Sequence, residues 1–293
     1  MDLNGDGKLD LLSGSYAHKG NGKSGGYISV CWGFGPPTVL KGDDGKPLTI
    51  AAPVPGDYAT RPFAVDLNGD GKLDLVVGNM MGNFAFFAGL GGGRFASKHR
   101  WLRNDVGEEL KVAHKSDPFF IDWDGDGDQD MLTGSNSGGV YLFRNAGSAT
   151  KAVFGASKQL VAPAPRPEPT VRHYVFGDKH LSVPQWSMRV CAADVNGDGK
   201  LDLLIGDHAS RHTRGEGLDD EALEEALDDW DNERANLAYR VKQARAAIPW
   251  WGDKDLLRKH EEAQKALREF DKTRAKIMRS ESFGSVWLAL QKN

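Results

Sequence analysis

Residues 66–78 read DLNGDGKLDLVVG, and this stretch decides the fold because three other segments of the 293-residue chain align with it without gaps. The three segments are 2–14 (DLNGDGKLDLLSG), 122–134 (DWDGDGDQDMLTG) and 194–206 (DVNGDGKLDLLIG). A fourfold match at similar intervals indicates a repeat architecture, in which each repeat is one supersecondary unit that packs against its neighbours.

Each repeat places short apolar runs around this motif in the same order. In the second repeat, 62–65 precedes the motif, 75–77 lies inside it, and turn residues separate two further strands at 84–87 and 95–98. Four strands joined by hairpins are typical of a propeller blade, and the 36 glycines fit many tight turns. The sequence therefore predicts an all-β fold, a partial (open) β-propeller of about four blades within residues 1–217.

The first and last repeats are partial. Met1 falls where the first strand of the first repeat should just have ended, and Asn293 follows a third strand. Propellers usually close with more blades. We therefore expect a fragment that lacks its N terminus and any signal peptide, with exposed strand edges.

The first nine residues of each motif carry oxygen ligands in a fixed order. In 66–74, side-chain oxygens fall at positions 1, 3, 5 and 9, and Lys72 at position 7 can supply its backbone carbonyl. Gly71 permits the sharp turn that would wrap the chain around an ion. This set of hard oxygen ligands favours Ca²⁺ over Zn²⁺ and Mg²⁺, so the sequence predicts up to four bound calcium ions.

An EF-hand loop begins in the same way but needs a glutamate at position 12. That position is occupied here by Ser13, Val77, Thr133 and Ile205. Residues typical of strands follow, where an EF-hand would continue as a helix. The EF-hand is therefore excluded on both counts.

At these residues the sequence resembles the FG-GAP/VCBS repeat family, the calcium-loop propeller repeats also found in integrin α-chains. The resemblance covers residues 1–217 and the extreme C terminus. In that family the loop between the first two strands of a blade holds Ca²⁺, and the lysines and Asp128 would act through their backbone. The ligands that the resemblance implies are Asp2, Asn4, Asp6, Lys8, Asp10, Asp66, Asn68, Asp70, Lys72, Asp74, Asp122, Asp124, Asp126, Asp128, Asp130, Asp194, Asn196, Asp198, Lys200 and Asp202.

The third loop departs from the pattern at Trp123 and Gln129, where the other loops have aliphatic residues, but its ligand positions are intact. We expect the ions to be mainly structural, because the energy of binding to a preformed site adds to the stability of the fold. We expect the first loop to bind its ion worst, since nothing anchors Asp2 so close to the chain start.

The composition changes after residue 217, where Ala, Leu, Glu, Asp and Arg become frequent. Apolar residues recur at heptad spacing in 218–248 and in a second stretch at 253–279, and the sequence PWWG at 249–252 interrupts them. The pattern predicts an antiparallel helical hairpin with a coiled-coil seam that occupies residues 218–281.

The hairpin is followed by 282–293, whose apolar run resembles the third strand of the preceding repeat at 140–143. We therefore expect the hairpin to be inserted between the second and third strands of the last blade, with 282–293 as its return strand. Successive hairpin turns lie at opposite ends of a sheet. We expect the helices, and by analogy an interaction surface, at the sheet ends opposite the calcium loops.

The net charge, the hydropathy and the cysteines each give one further expectation. The formal net charge of −4 disfavours a nucleic-acid partner. The uncharged stretch 75–93 is rich in glycine and is interpreted as a β-hairpin, not a membrane span. Cys31 and Cys191 lie in apolar runs and are interpreted as small buried residues, although whether they pair is left open.

We expect the protein to be an extracellular or cell-surface module, not an enzyme, that mediates binding or adhesion to a protein or polysaccharide ligand. Weak calcium loops suit compartments rich in Ca²⁺, where affinities of about 10⁻⁴ to 10⁻³ M suffice. A propeller module of a polysaccharide lyase or hydrolase is the alternative, and a purely structural spacer is a third. The ligand and the oligomeric state stay open.

Overall fold

The computed structural model describes residues 1–15, 26–50, 60–165, 171–172 and 174–291. The chain is mostly β and divides into two compact units. The first unit, which holds most of the β-strands, consists of Met1–Ala164, Val183–His208 and Gly284–Asn293. The second unit, which holds the two long helices, consists of Pro165–Ser182 and Ala209–Phe283.

The first sheet has three antiparallel strands, β1 (Leu11–Gly14), β2 (Ile28–Cys31) and β3 (Thr38–Val39), in that order. A single 3₁₀ turn at Trp32–Phe34 follows β2. The acidic segment of the first repeat immediately precedes β1, so this sheet starts at the strand that follows the loop.

The second sheet has the order β4-β5-β6-β9, and its strands are β4 (Arg61–Val65), β5 (Asp74–Gly78), β6 (Phe84–Phe87) and β9 (Arg100–Trp101). The prediction that residues 95–98 form the outer strand is therefore wrong, because β9 occupies that edge of the sheet. The strands β7 (Gly89–Gly91) and β8 (Arg94–Phe95) pair with each other as a two-stranded sheet, and Phe95 also bridges to Gly42. The chain can turn back there because Gly91, Gly92 and Gly93 all adopt positive φ.

The third sheet has the order β10-β11-β12-β13, and its strands are β10 (Asp117–Ile121), β11 (Asp130–Gly134), β12 (Val140–Phe143) and β13 (Lys158–Val161). The fourth sheet contains β14 (Trp186–Ala193), β15 (Asp202–Arg214), β16 (Met278–Phe283) and β17 (Val286–Ala289). The first part of β15 pairs with β14 and β17, and its last six residues pair with β16. The sequence pattern did not indicate β16.

A hydrophobic core lies between each pair of successive sheets, which gives three such cores. Leu75 and Val77 of β5 belong to the core shared with the first sheet, whereas Val76 between them belongs to the core shared with the third. A third core joins the third and fourth sheets. Because alternate side chains of a strand point to opposite faces, a sheet with neighbours on both sides needs apolar residues at every position. This explains the unbroken apolar run in the repeated motif.

The glycine that ends each motif marks where the backbones of successive sheets approach. A Cβ atom on Gly14, Gly78 or Gly134 would lie 1.7, 2.2 and 1.9 Å, respectively, from a backbone carbonyl oxygen at the start of the next sheet. The equivalent Gly206 of the fourth repeat has no described atom within 4 Å of such a Cβ. The glycine is therefore required sterically only where another sheet follows.

The second unit is built around two helices, α1 (Asp220–Ala246) and α2 (Lys254–Ile277). Each begins after an aspartate whose carboxylate accepts backbone amide protons, a favourable N-cap that Asp219 and Asp253 supply. The rings of Trp230 and Phe270 stack at 5.6 Å between the helices. The coiled-coil character of the pair stays a prediction.

Both cysteines are free thiols. The interpretation of both as buried residues is wrong, because Cys31 is only half-buried and Cys191 is exposed. The residue lies on the face of β14 that carries exposed side chains at alternate positions. Among the described residues, no helix combines the length and the apolar composition that crossing a bilayer requires.

Candidate metal centre

The first aspartate of each acidic loop organises its turn. In the second loop, Asp66 Oδ1 accepts the amide protons of Gly69 (2.8 Å) and Asp70 (3.2 Å), and Oδ2 accepts that of Gly71 (2.8 Å). Both glycines adopt positive φ, which lets these amides turn toward one carboxylate. Asp2, Asp122 and Asp194 make the same three bonds in their own loops.

The side-chain oxygens at loop positions 3 and 5 also accept backbone amide protons within the loop. Asn68 Oδ1 accepts the amide proton of Asp70 at 2.9 Å, and Asp70 Oδ1 accepts that of Lys72 at 3.0 Å. The Lys72 ammonium lies 3.4 Å from the other Asp70 oxygen at the surface. The lysine side chain therefore pairs with a loop carboxylate, and only its carbonyl is left for the ligand role predicted from the sequence.

The aspartate at position 9 has a structural role that sequence reasoning missed. Asp74 is buried, and its carboxylate accepts the amide proton of Leu67 at 3.1 Å and that of Gly89, just beyond β6, at 2.7 Å. Asp10, Asp130 and Asp202, each at most 5% exposed, make the equivalent pairs of bonds. The signal available in the sequence was the position itself, since it opens the strand after the loop.

Burial makes the ionised form of these carboxylates less favourable. Desolvation raises the pKa of Asp74 and of Asp130, and neighbouring loop carboxylates raise it further, against the opposing effect of the amide hydrogen bonds. At the exposed end of the first loop, the Gly7 amide lowers the pKa of Asp2. A bound cation would offset the repulsion among these negative charges.

The third loop brings three carboxylates together. One oxygen each from Asp122, Asp124 and Asp130 lies within 4.8 Å of the other two, whereas Asp126 is outside this group. Three convergent carboxylate oxygens suit a hard divalent cation. In the other loops, position 3 is asparagine, so its amide oxygen takes the place of the Asp124 carboxylate.

Two further side chains distinguish the third loop. Arg144 forms an ion pair with Asp124 and so competes with a cation for that carboxylate. Asp128 is only 5% exposed, and its Oδ1 has no hydrogen-bond partner among the described residues. Burial, followed by the charge of Asp126, raises the Asp128 pKa. The family resemblance implies only a backbone role for this residue.

The first loop is better held than its position in the chain suggested. The amide of Asp10 donates to the Met1 carbonyl at 2.6 Å, and Leu3 is buried in the core of the first sheet. The reason given for weak binding at this loop, that nothing anchors it, is therefore wrong. Its affinity relative to the other loops stays a prediction.

Comparison with known proteins agrees with the repeat pattern. The model of a family described as FG-GAP-like repeat matches residues 2–77 and 122–205, which is more than half of the chain and includes all four acidic loops. A search of the curated proteins finds no match to this chain.

Proposed function

Because the chain belongs to the FG-GAP-like repeat family, we propose that it is a calcium-binding, extracellular β-propeller module that mediates binding or adhesion. Its partner would be a protein or glycan ligand, and its ions would mainly stabilise the fold. Membership of this family suggests an extracellular integrin-like repeat module. Calcium binding, adhesion and the propeller arrangement are proposed in addition to what family membership suggests.

The convergent carboxylates of the third loop are the observation that carries the calcium assignment. Three oxygens within 4.8 Å of one another, with the pKa of Asp130 raised by burial, leave negative charge that lacks full compensation. Arg144 pairs with only one member of the group. Calcium coordinates six to eight oxygens in flexible geometry, so it fits a site that mixes carboxylates, a carbonyl and water.

The repeated contact between successive sheets supports a propeller arrangement within the first unit. The motif glycines of the first three repeats each lie against the backbone at the start of the next sheet, and an apolar core fills each interface. Face-to-face packing that repeats in chain order is the arrangement of propeller blades. We propose that the four sheets are four such blades.

The position-9 aspartates support a structural role for the ions. Each ties its loop to the second residue after the strand that pairs with the strand following the loop, which is β2, β6, β12 or β17. An ion bound at the loop would therefore strengthen a junction between strands. Ligand present at about 100 times its Kd stabilises the folded state by about 2.7 kcal/mol per site.

The test is thermal unfolding of the whole chain in Ca²⁺, Mg²⁺ and EDTA. We expect Ca²⁺ to raise the Tm well above its value in EDTA, with a smaller effect of Mg²⁺. Asp122→Asn should reduce the calcium-dependent shift, because it removes one of the three convergent charges. Asp105→Asn changes an exposed carboxylate outside the loops and is the matched control. Identical Tm values in Ca²⁺ and EDTA for the unmodified chain would overturn the calcium assignment.

A module of a polysaccharide-degrading enzyme is the second candidate function. The feature that favours it is a polar cleft in the first unit where two arginines face one aspartate. The test is incubation with acidic and neutral polysaccharides, followed by measurement of new chain ends. Release of chain ends that is lost in Asp117→Asn would favour the enzyme over the binding module.

A further inference from the structure

A polar cleft of about 330 Å³ lies in the first unit, at the sheet ends opposite the acidic loops. Its polar lining comes from Ser13, Ser15, Thr60, Arg61, Asp117 and Arg189. Arg61 and Asp117 begin β4 and β10, whereas the acidic loops follow the other ends of the same strands. The cleft is therefore separate from the candidate calcium sites.

The three charged residues of the cleft occupy the same position in three successive repeats. Arg61, Asp117 and Arg189 each precede the first aspartate of their loop by five residues. Each is also paired, across its sheet, with the glycine that ends its motif. The repeat therefore brings equivalent positions of neighbouring strands together, and the residues found there are basic, acidic and basic.

The geometry joins these three side chains through one carboxylate. Asp117 Oδ2 lies 3.8 Å from Arg61 Nε and 3.3 Å from Arg189 Nη1. The Arg61 and Asp117 side chains are largely buried, whereas that of Arg189 is 64% exposed. Arg189 has no second ion-pair partner among the described residues. Arg189 shares the Asp117 carboxylate with Arg61, and its exposed guanidinium presents positive charge to the cleft.

The lining defines the chemistry of a ligand. A guanidinium group binds a carboxylate through two parallel hydrogen bonds, which a point charge such as lysine cannot reproduce. The hydroxyls of Ser13 and Ser15 and the carboxylate of Asp117 can exchange hydrogen bonds with hydroxyl groups. The described residues that line the cleft include no aromatic ring, and its volume is at the small end of ligand sites. A small molecule that combines one carboxylate with several hydroxyls fits these features.

We propose that this cleft binds an acidic sugar of about one uronic acid unit, with Arg189 on the sugar carboxylate and Asp117 and Ser13 on its hydroxyls. The inference rests on the proposed function only in treating the chain as a binding module, and it requires no calcium ion in the cleft.

The test is calorimetric titration of the whole chain, in saturating Ca²⁺, with D-galacturonate, D-glucuronate and D-glucose. Monosaccharides are used because Ca²⁺ can bridge longer acidic chains. We expect binding of at least one uronate and none of glucose. Arg189→Gln should weaken that binding at least about tenfold, because it removes a charge-assisted pair of hydrogen bonds. Arg189→Lys should recover only part of the affinity.

Arg94→Gln is the matched control, since Arg94 is exposed, lies in the same unit and does not line the cleft. Equal affinity in Arg189→Gln and the unmodified chain would overturn the proposal, as would no uronate binding or equal binding of uronate and glucose. Sulfate that displaces uronate at equal concentration would also overturn it, because the site would then be a general anion site. Calcium-dependent Tm values on the same samples test the proposed function separately.

Discussion

The third and fourth repeats share one motif but differ in what surrounds it. In the third, every residue of β11 is buried and Gly134 lies against the next sheet. In the fourth, Leu204 and Gly206 in the matching part of β15 are only half-buried, Gly206 has no described atom within 4 Å of its Cβ position, and Val286 of β17 is 78% exposed. The first aspartate of the loop nonetheless accepts the same three amide protons in both. The motif therefore specifies the loop locally, whereas burial of its strands depends on the neighbouring sheet.

The largest difference in stability effect between the two repeats should come from substituting the glycine that ends each motif. A methyl group at Gly134 would collide with the backbone oxygen of Met188, which cannot move without shifting β14. We expect Gly134→Ala to lower the free energy of unfolding by about 3 kcal/mol, at the upper end for overpacking. Chemical denaturation measures this change.

Gly206→Ala is the internal control for this substitution. Its Cβ would meet no described atom within 4 Å, so we expect a change of less than about 1 kcal/mol in either direction. Equal destabilisation by the two substitutions would show that the close approach of successive sheets does not constrain the motif glycine.

A second pair of substitutions should affect both repeats alike. Asp130→Ala and Asp202→Ala each leave two backbone amides without their buried acceptor. We expect each to cost about 2 kcal/mol in EDTA, because unsatisfied buried groups cost about 1–3 kcal/mol. Measurement in EDTA removes any contribution from bound ions. A cost confined to Ca²⁺-containing buffer would instead mean that these aspartates act only as ligands.

The pH dependence of stability should distinguish Asp117 of the third repeat from its basic counterpart in the fourth. Burial raises the pKa of Asp117 above its usual 3.8, although Arg189 and Arg61 oppose the shift. The folded state therefore holds the proton more tightly than the unfolded state. The resulting stabilisation is fully present below pH 3.8 and is lost as pH rises through the raised pKa.

Asp117→Asn should lack this component, so the difference in unfolding free energy between the two proteins should vary with pH across that window. Denaturation at a series of acidic pH values, in constant Ca²⁺, gives this difference. A difference that stays constant with pH would contradict the raised pKa of Asp117.

The smallest effect concerns the ion pair between Arg144 and Asp124 of the third loop. Arg144 competes with a cation for Asp124, so Arg144→Gln should raise the calcium affinity of that loop. An exposed pair of this kind contributes about 0.2–1 kcal/mol, which corresponds to at most about a fivefold gain. Calcium titration of the two proteins measures it, and weaker binding by Arg144→Gln would show that Arg144 supports the site.

The sequence was sufficient for features that depend on neighbours in the chain. The acidic turns follow from glycines and oxygen side chains at fixed spacing, and α1 and α2 follow from heptad spacing and good N-caps. The strands β9 and β16 were missed, because their positions depend on long-range pairing with β6 and β15. The charged cleft was also missed. Arg61, Asp117 and Arg189 come together only when neighbouring repeats pack side by side. Their equivalent positions were nevertheless visible in the aligned repeats.

The central claim is that the four acidic loops are calcium sites, and direct counting of bound ions tests it most simply. Equilibrium dialysis of the whole chain against millimolar Ca²⁺ gives the number of ions bound per chain. The account predicts more than one ion and at most four, with fewer bound in Asp122→Asn. A chain that binds no calcium under these conditions would contradict the account.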